Sequence, residues 1–268
     1  MDSFLTAATT SSLNSIQRTQ SVQDRYQKQL ATGRSVNSLS DDARAFTLAQ
    51  GLLERSGSLS EIGANVGQGI GALQAASNGT DAIGSVVNQL KSVARQALAS
   101  SDPAEQSRLE TQYNTLRGQV DSIAEDASYG GINLIKSNPA TLTVGGTGIS
   151  VNGTASDSAS LGIAAAGGWA GNTAAIEADL ASLDQAGRSL NSQAAQLGSS
   201  NTQLQIAAGF VQNQAAIASQ GATRLTESDI NQAAASVQSA NTYRQLGLAA
   251  LRNAGESQDA VLGLFTRY

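Results

Sequence analysis

The chain contains no cysteine and no histidine, and only two prolines and one tryptophan among its 268 residues. Without cysteine there are no disulfides and no thiol chemistry. Without histidine the usual general base near neutral pH is absent, and most zinc sites are excluded too. The missing cysteines suit either side of a membrane and fix no compartment. Aromatics make up 4% of the residues, so the core must be thin, as in a narrow bundle. No hydrophobic run approaches the length that crosses a bilayer. The opening residues Met1–Leu5 lack the basic start and continuous apolar core of a secretory signal. The expectation is a protein that stays inside the cell or leaves without a cleaved signal peptide. A net charge of −5 with no basic cluster argues against nucleic acid as a partner. No nucleophile–base set, metal constellation or cofactor motif is visible, so catalysis has no support.

What is present is Ala, Gln, Ser, Asn and Gly, and Ala and Gln favour helices. From Ala45 to Ala97, alternating steps of three and four pick out Ala45, Leu48, Leu52, Arg55, Leu59, Ile62, Val66, Gly69, Leu73, Ala76, Thr80, Ile83, Val87, Leu90, Ala94 and Ala97. A 3.5-residue repeat sustained this long predicts a long helix lying lengthwise on other helices. At about 1.5 Å per residue it would run roughly 80 Å, so an elongated molecule is expected. Gly57, Gly63, Gly67, Gly69 and Gly71 crowd its middle. Each costs up to about 1 kcal/mol against Ala, which predicts a bend or a close helix approach there.

A second ladder matches the first in length: Ile176, Leu180, Leu183, Gly187, Leu190, Ala194, Leu197, Asn201, Leu204, Ala208, Val211, Ala215, Ala218, Ala222 and Leu225. Between them, Asp102-Pro103-Ala104-Glu105 is a helix start with a capping acid and proline at the first helical position. Leu109, Tyr113, Leu116, Val120, Ile123 and Ala127 continue it as a third helix, antiparallel to the first across a tight turn. The seam of this rod is assigned to Leu48, Leu52, Leu59, Ile62, Val66, Leu73, Leu109, Leu116, Leu180, Leu190, Leu197 and Leu204.

Residues 136–172 are different material. Thr141-Leu142-Thr143-Val144 and Ile149-Ser150-Val151 flank Gly145-Gly146-Thr147-Gly148, which reads as a β-hairpin. The Gly, Ser and Ala-rich stretch after it lacks the setting and the lysine of a phosphate-binding loop. Trp169 is expected to plug the end of the bundle.

The two ends carry weaker helices. The first shows Leu5, Leu13, Ile16, Val22, Tyr26 and Leu30 and stops at Gly33. A polar connection follows, with Ser40 as N-cap and Asp41 and Asp42 in the first turn of the next helix. The last helix starts after Thr226-Glu227-Ser228-Asp229. It carries Ile230, Val237, Leu248, Leu251, Leu262 and Phe265 on one face, and Tyr243, Leu246, Ala250, Val261 and Leu264 on another. An apolar arc too wide for one thin partner implies association with other chains.

The stretch Leu30-Ala31-Thr32-Gly33-Arg34-Ser35-Val36-Asn37-Ser38-Leu39-Ser40-Asp41-Asp42-Ala43 closely resembles the N-terminal signature of bacterial flagellins. Ala240-Asn241-Thr242-Tyr243 through Gln245, Ala250-Leu251 and Val261-Leu262-Gly263-Leu264-Phe265 resembles the matching tail, and Glu227-Ser228-Asp229-Ile230 fits the break before it. The resemblance covers about residues 1–135 and 173–268.

It implies a filament subunit exported through the flagellar type III apparatus and polymerised into a hollow helical tube. The export chaperone, cap and junction proteins would be its partners, and the assembled flagellum outside the cell its location. The expected fold is mainly α: an elongated antiparallel helical bundle or coiled coil with a small β-hairpin insert, its terminal helices forming a coiled coil in the filament. The segments would be an N-terminal inner-core helix (1–33), a connecting spoke (34–44), rod helices (45–135), the hairpin and surface loops (136–172), a return rod helix (173–225) and a C-terminal inner-core helix (226–268). Polymerisation is assigned to Phe4, Ile16, Val22, Tyr26 and Leu30, facing Ile230, Val237, Leu246, Leu248, Leu251, Leu262, Leu264 and Phe265. The connecting turn and helix cap fall to Gly33, Asn37, Ser40, Asp41 and Asp42.

The stretch Leu90-Lys91-Ser92-Val93-Ala94-Arg95-Gln96-Ala97 lacks most of the Arg-rich, Glu-containing motif that many flagellins present to a Toll-like innate immune receptor, which implies poor receptor activation. Ser and Thr at 141–160 would be either O-glycosylated or an unmodified polar loop. A hook–filament junction protein and a secreted coiled-coil effector or adhesin are the alternative readings.

Overall fold

The computed structural model describes the backbone of residues 2–265 and the side chains of residues 10–257 and of Ala260. In order the elements are α1 (Asp2–Thr32), α2 (Ala43–Ala99), α3 (Pro103–Asp126), β1 (Ser128–Tyr129), β2 (Ile132–Asn133), β3 (Thr141–Val144), β4 (Ile149–Asn152), α4 (Thr173–Thr226) and α5 (Ile230–Phe265). The chain divides into two compact units, one made of residues 57–215 and one made of 1–56 with 216–268.

The 57–215 unit holds a continuous core. On α2 the buried or half-buried line runs through Leu59, Ile62, Val66, Gly69, Leu73, Ala76, Thr80, Ile83, Val87, Leu90, Ala94 and Ala97. On α4, Ile176, Leu183, Leu190, Leu197, Leu204 and Val211 are buried, with Leu180 and Ala208 half-buried between them. The helices run antiparallel: Gly69 faces Leu204, and Lys91 makes a 2.9 Å ion pair with Asp184. That ion pair, with its hydrogen bond, holds the Asp184 carboxyl below the usual aspartate range.

Helix α2 passes through its glycines without interruption. Two of them are sites of close approach. A β-carbon at Gly69 would stand 3.1 Å from Leu204 Cδ1 and 3.2 Å from Val144 Cγ2, and one at Gly71 would meet the ring of Tyr129. The glycines let the β3–β4 hairpin and the β1–β2 turn sit directly on the helix backbone. The hairpin pairs Thr141 with Asn152 and Val144 with Ile149, so Leu142, Val144 and Val151 turn inward. Gly130 and Gly131, at φ of 57° and 82°, make the two-residue turn between β1 and β2.

Helix α3 is capped by Asp102, whose side chain accepts from the Ala104 amide. One stripe of it, at Gln106, Glu110, Asn114, Arg117 and Asp121, is polar, and every member grips the main chain of a strap formed by residues 158–171. Gln106 Oε1 accepts from Gly171 N, Glu110 Oε2 from Trp169 N and Asn114 Oδ1 from Ala166 N. Asn114 Nδ2 donates to Ala166 O, Arg117 Nε to Ile163 O, and Asp121 accepts from the amide and hydroxyl of Ser158. The strap delivers Trp169 to full burial (0% exposed). Its ring stands edge-on to Tyr113 at 5.1 Å, and its Nε1 donates to Asp179 Oδ2 at 2.7 Å. Burial raises the Asp179 carboxyl above its usual range, against the lowering effect of the indole hydrogen bond, and the Glu110 charge adds to the rise. Burial raises the Tyr113 phenol well above its ordinary value. Trp169 thus locks the strap between α3 and the start of α4.

The second unit pairs α1 with α5 and joins them to the first turns of α2 and the last turns of α4. Gly33, at φ +68°, ends α1 in the left-handed conformation. The connectors after α1 and after α4 are zipped together. Ser35 N donates to Thr226 O, Ser228 N donates to Gly33 O, and Arg34 and Glu227 form an antiparallel bridge.

Candidate functional site

Among the residues whose side chains are described, the α1–α5 pair buries little apolar bulk: its buried side chains are Gln23, Ala233 and Ala240. Ile16 packs against the bare backbone of Gly247, where a β-carbon would stand 3.0 Å from Ile16 Cγ1. Gln23 is 8% exposed and its Oε1 accepts no hydrogen bond. A buried, unsatisfied amide oxygen costs about 1–3 kcal/mol. A helix pair built this way is weak on its own.

The large apolar residues of these helices point elsewhere. Leu13, Val22, Leu30, Ile230, Tyr243, Leu246 and Leu248 are all exposed. Ile16, Tyr26, Val237 and Leu251 are half-buried. An open trough of about 480 Å³ runs between α1 and α5, lined by Val22, Tyr26, Ala240 and Tyr243 with Arg18 and Ser239. Val22, Leu30, Leu246 and Leu248 are thus left open to solvent within one chain. Small residues make the intrachain contact, because two helices approach closely only where side chains are short. Phe4, Leu262, Leu264 and Phe265 lie outside the residues whose side chains are described.

Below the pair, the connecting turn is built on Asp41. Its Oδ2 accepts from the amides of Asn37 and Ser38, each at 3.0 Å, and from the Ser38 hydroxyl at 2.9 Å. These bonds, Asn37's first, hold its carboxyl below the usual range, with a smaller contribution from Lys28 at 4.0 Å. Asp42 caps α2, its Oδ1 accepting from Ala45 N at 2.9 Å. The cap is therefore Asp42, not Ser40, whose hydroxyl pairs with that of Ser38. Asn37 Nδ2 closes the turn onto Arg34 O. At the other connector Asp229 caps α5 through the amides of Asn231 and Gln232. On α2 the buried line of this unit starts at Ala49 (3% exposed) rather than Leu48 (56%). The first turns are rotated by one residue from the strict repeat, so Leu48 faces outward, while Leu52 is half-buried and touches the Gly221 backbone of α4.

The polar ladder of α3 was missed by sequence reasoning. Its signal was there, in steps of four, four, three and four from Gln106 to Asp121, but a polar stripe ordinarily means solvent. Among the described residues no group of three or more acidic, His or Cys side chains is placed to hold a metal ion, and no helix is long and apolar enough to cross a membrane.

Two family models match. Residues 5–139 match "Bacterial flagellin N-terminal helical region" and residues 180–265 match "Bacterial flagellin C-terminal helical region". The chain is 24% identical over 261 residues to flagellin FljK of Caulobacter vibrioides, covering 94% of each chain. It is 24% identical over 281 residues to a flagellin of Brucella melitensis, covering 99% of each. A crystal structure of Bacillus cereus flagellin aligns with a TM-score of 0.48 at 17% identity, over 55% of this chain and 88% of that one. With both helical regions matched in order, and full-length relatives of the same kind, this chain belongs to the bacterial flagellin family and is a structural subunit of the flagellar filament.

Proposed function

We propose that the filament is built through the exposed apolar residues of the terminal helices, with the 57–215 unit acting as a preformed rigid block. The observation that carries this is the inversion in the α1–α5 pair. Small side chains and an unsatisfied glutamine are inside, and Leu13, Val22, Leu30, Tyr243, Leu246 and Leu248 are outside. Burying an apolar side chain of this size is worth about 1.5–3 kcal/mol, and only neighbouring copies offer that burial. The pair is therefore completed by assembly. Phe4, Leu262, Leu264 and Phe265 belong to the same surface by sequence pattern, while the Asp41 turn and the zipped connectors fix how the pair leaves α2 and α4.

Family membership supports self-polymerisation in the extracellular flagellum. An export chaperone, a cap and a junction protein are the further partners in this reading, and the chain performs no catalysis. Receptor activation is weak, since Leu90, Val93, Ala94 and Ala97 of the relevant stretch are buried and Lys91 is paired with Asp184. A reporter-cell assay against a motif-bearing flagellin tests that point, and comparable potency refutes it.

The main test is removal of residues 250–268. The truncated chain is expected to remain folded across 57–215 and to form no filaments by electron microscopy or sedimentation. Normal filaments from it would refute the proposal. Short rings in place of long tubes from the intact chain would favour a junction protein.

A further inference from the structure

Midway along the terminal helices, Ile16 of α1 lies on Gly247 of α5. A β-carbon at Gly247 would stand 3.0 Å from Ile16 Cγ1 and 3.5 Å from its Cδ1. Any larger residue at 247 therefore requires Ile16 to give way. Isoleucine in a helix is held to essentially one χ1 rotamer, so it has little room to yield.

The two helices run antiparallel, since their connected ends are zipped at Gly33 and Ser228 while Ile16 meets Gly247 further along. Seven residues on, a helix presents nearly the same face. Stepping by seven from this contact sets Gln23 opposite Ala240 and Leu30 opposite Ala233, and both alanines are buried. One step the other way comes to Ala254, which is half-buried. The α5 seam therefore reads Ala233, Ala240, Gly247, Ala254 and is almost uniform. A slip of α1 by one heptad, about 10 Å, would still leave a small residue under Gln23 in either direction. It would also set Ile16 on an alanine in either direction, where the space it needs is taken. Only the observed alignment gives Ile16 the one glycine of the seam.

We infer that Ile16 and Gly247 are a keyed pair that fixes the register of α1 on α5. This deepens the filament reading and rests on it. The zipped connectors hold the base of the helix pair, and the key holds it again about 25 Å further along α1. Both are positioning residues. They act through Leu13, Val22, Tyr243 and Leu246, which are exposed and whose spacing across the two helices follows from the register.

The test uses the full-length chain as wild type, Gly247→Ala, Ile16→Ala and the double variant. Alanine is the better helix former, so a merely structural role for position 247 would let Gly247→Ala assemble at least as well as wild type. The keyed pair requires the opposite: Gly247→Ala should need about tenfold more protein to form filaments, and adding Ile16→Ala to it should restore most of that loss. Because the chain has no cysteine, cysteines at the exposed positions Asn14 and Ala249 can carry spin labels. Dilution with unlabelled chain confines the measured distance to one subunit. Wild type is expected to give a single distance, Gly247→Ala a shifted or second one, and the double variant the wild-type value again. Gly247→Ala that assembles as wild type with the wild-type distance overturns the inference, and so does a double variant that is no better than Gly247→Ala. The distance is read in the free chain as well as in filaments, so it decides the matter for a variant that fails to assemble. Wild-type chain that forms no filaments overturns the filament reading, while the keyed pair then stands or falls on the distances in the free chain.

Discussion

The two units are made of the same few residue types, yet they solve the problem of burial in opposite ways. In the 57–215 unit the large side chains are inside: Trp169, Tyr113, Leu73, Leu90, Ile135 and Leu183 are all fully buried. The α3 ladder and the strap satisfy one another's polar groups there, although Asp157 Oδ1 is buried without a hydrogen bond. Among the described residues of the α1–α5 pair, small ones are inside and most large ones outside, and a buried glutamine is left unsatisfied. The first unit closes its core within the single chain. In the proposed assembly the second is a half-interface whose other half is another molecule.

The sharpest way to break this comparison is to remove one large side chain from each region. Trp169→Ala empties the centre of the finished unit and is expected to cost about 3–5 kcal/mol in denaturant unfolding. Leu246→Ala with Leu248→Ala should change the unfolding of the free subunit by no more than about 0.5 kcal/mol while abolishing filaments. Equal losses of monomer stability would show that the terminal pair is an ordinary core.

A smaller effect concerns the strap. Arg117→Ala removes a donor from a partly buried carbonyl, at Ile163 O, and should cost about 1–3 kcal/mol. Limited proteolysis should then cut within 158–171 before any other site. Cleavage elsewhere first would mean that Trp169 alone holds the strap.

Gln23→Leu runs the other way. Replacing an unsatisfied amide with an apolar side chain should strengthen the α1–α5 pair by about 1 kcal/mol, seen as slower amide exchange in α1. Faster exchange would show that the Gln23 amide is satisfied in solution.

The smallest effect is on acidification, where two aspartates respond with opposite sign. Asp41 has a lowered pKa, so its contribution is full above the ordinary value and is lost as the pH falls through the folded one. Asp179 has a raised pKa, so its charge costs stability near neutrality, and that cost is relieved as the pH falls through its folded value. In an NMR titration from pH 7 downward the Trp169 indole resonance should move first, with no loss of structure, and the turn at 37–41 should loosen later. The reverse order would contradict the hydrogen bonding at both sites.

Much of the fold could be read directly. The α4 ladder from Ile176 to Leu225 is buried or half-buried at every step, because a 3.5-residue repeat of apolar side chains has one way to hide from water. The β3–β4 hairpin fell where the Gly-rich turn placed it. The terminal signatures carried the family. Other features resisted. Leu48 follows the repeat and still faces outward, because the repeat cannot report a rotation of the first turns. Asp42 and not Ser40 caps α2, because both are good caps and only the path of the turn separates them.

By itself, then, the sequence determined the helices, their pairing and the kind of molecule, since these rest on local propensity and on hydrophobic periodicity, which are properties of the chain. Tertiary structure alone decided which apolar residues are left over. Leu73 and Phe210 are both large apolar residues in long helices, but one is covered by its own chain and the other is not. Periodicity states which residues share a face. Only packing states whether anything within the molecule is there to meet it.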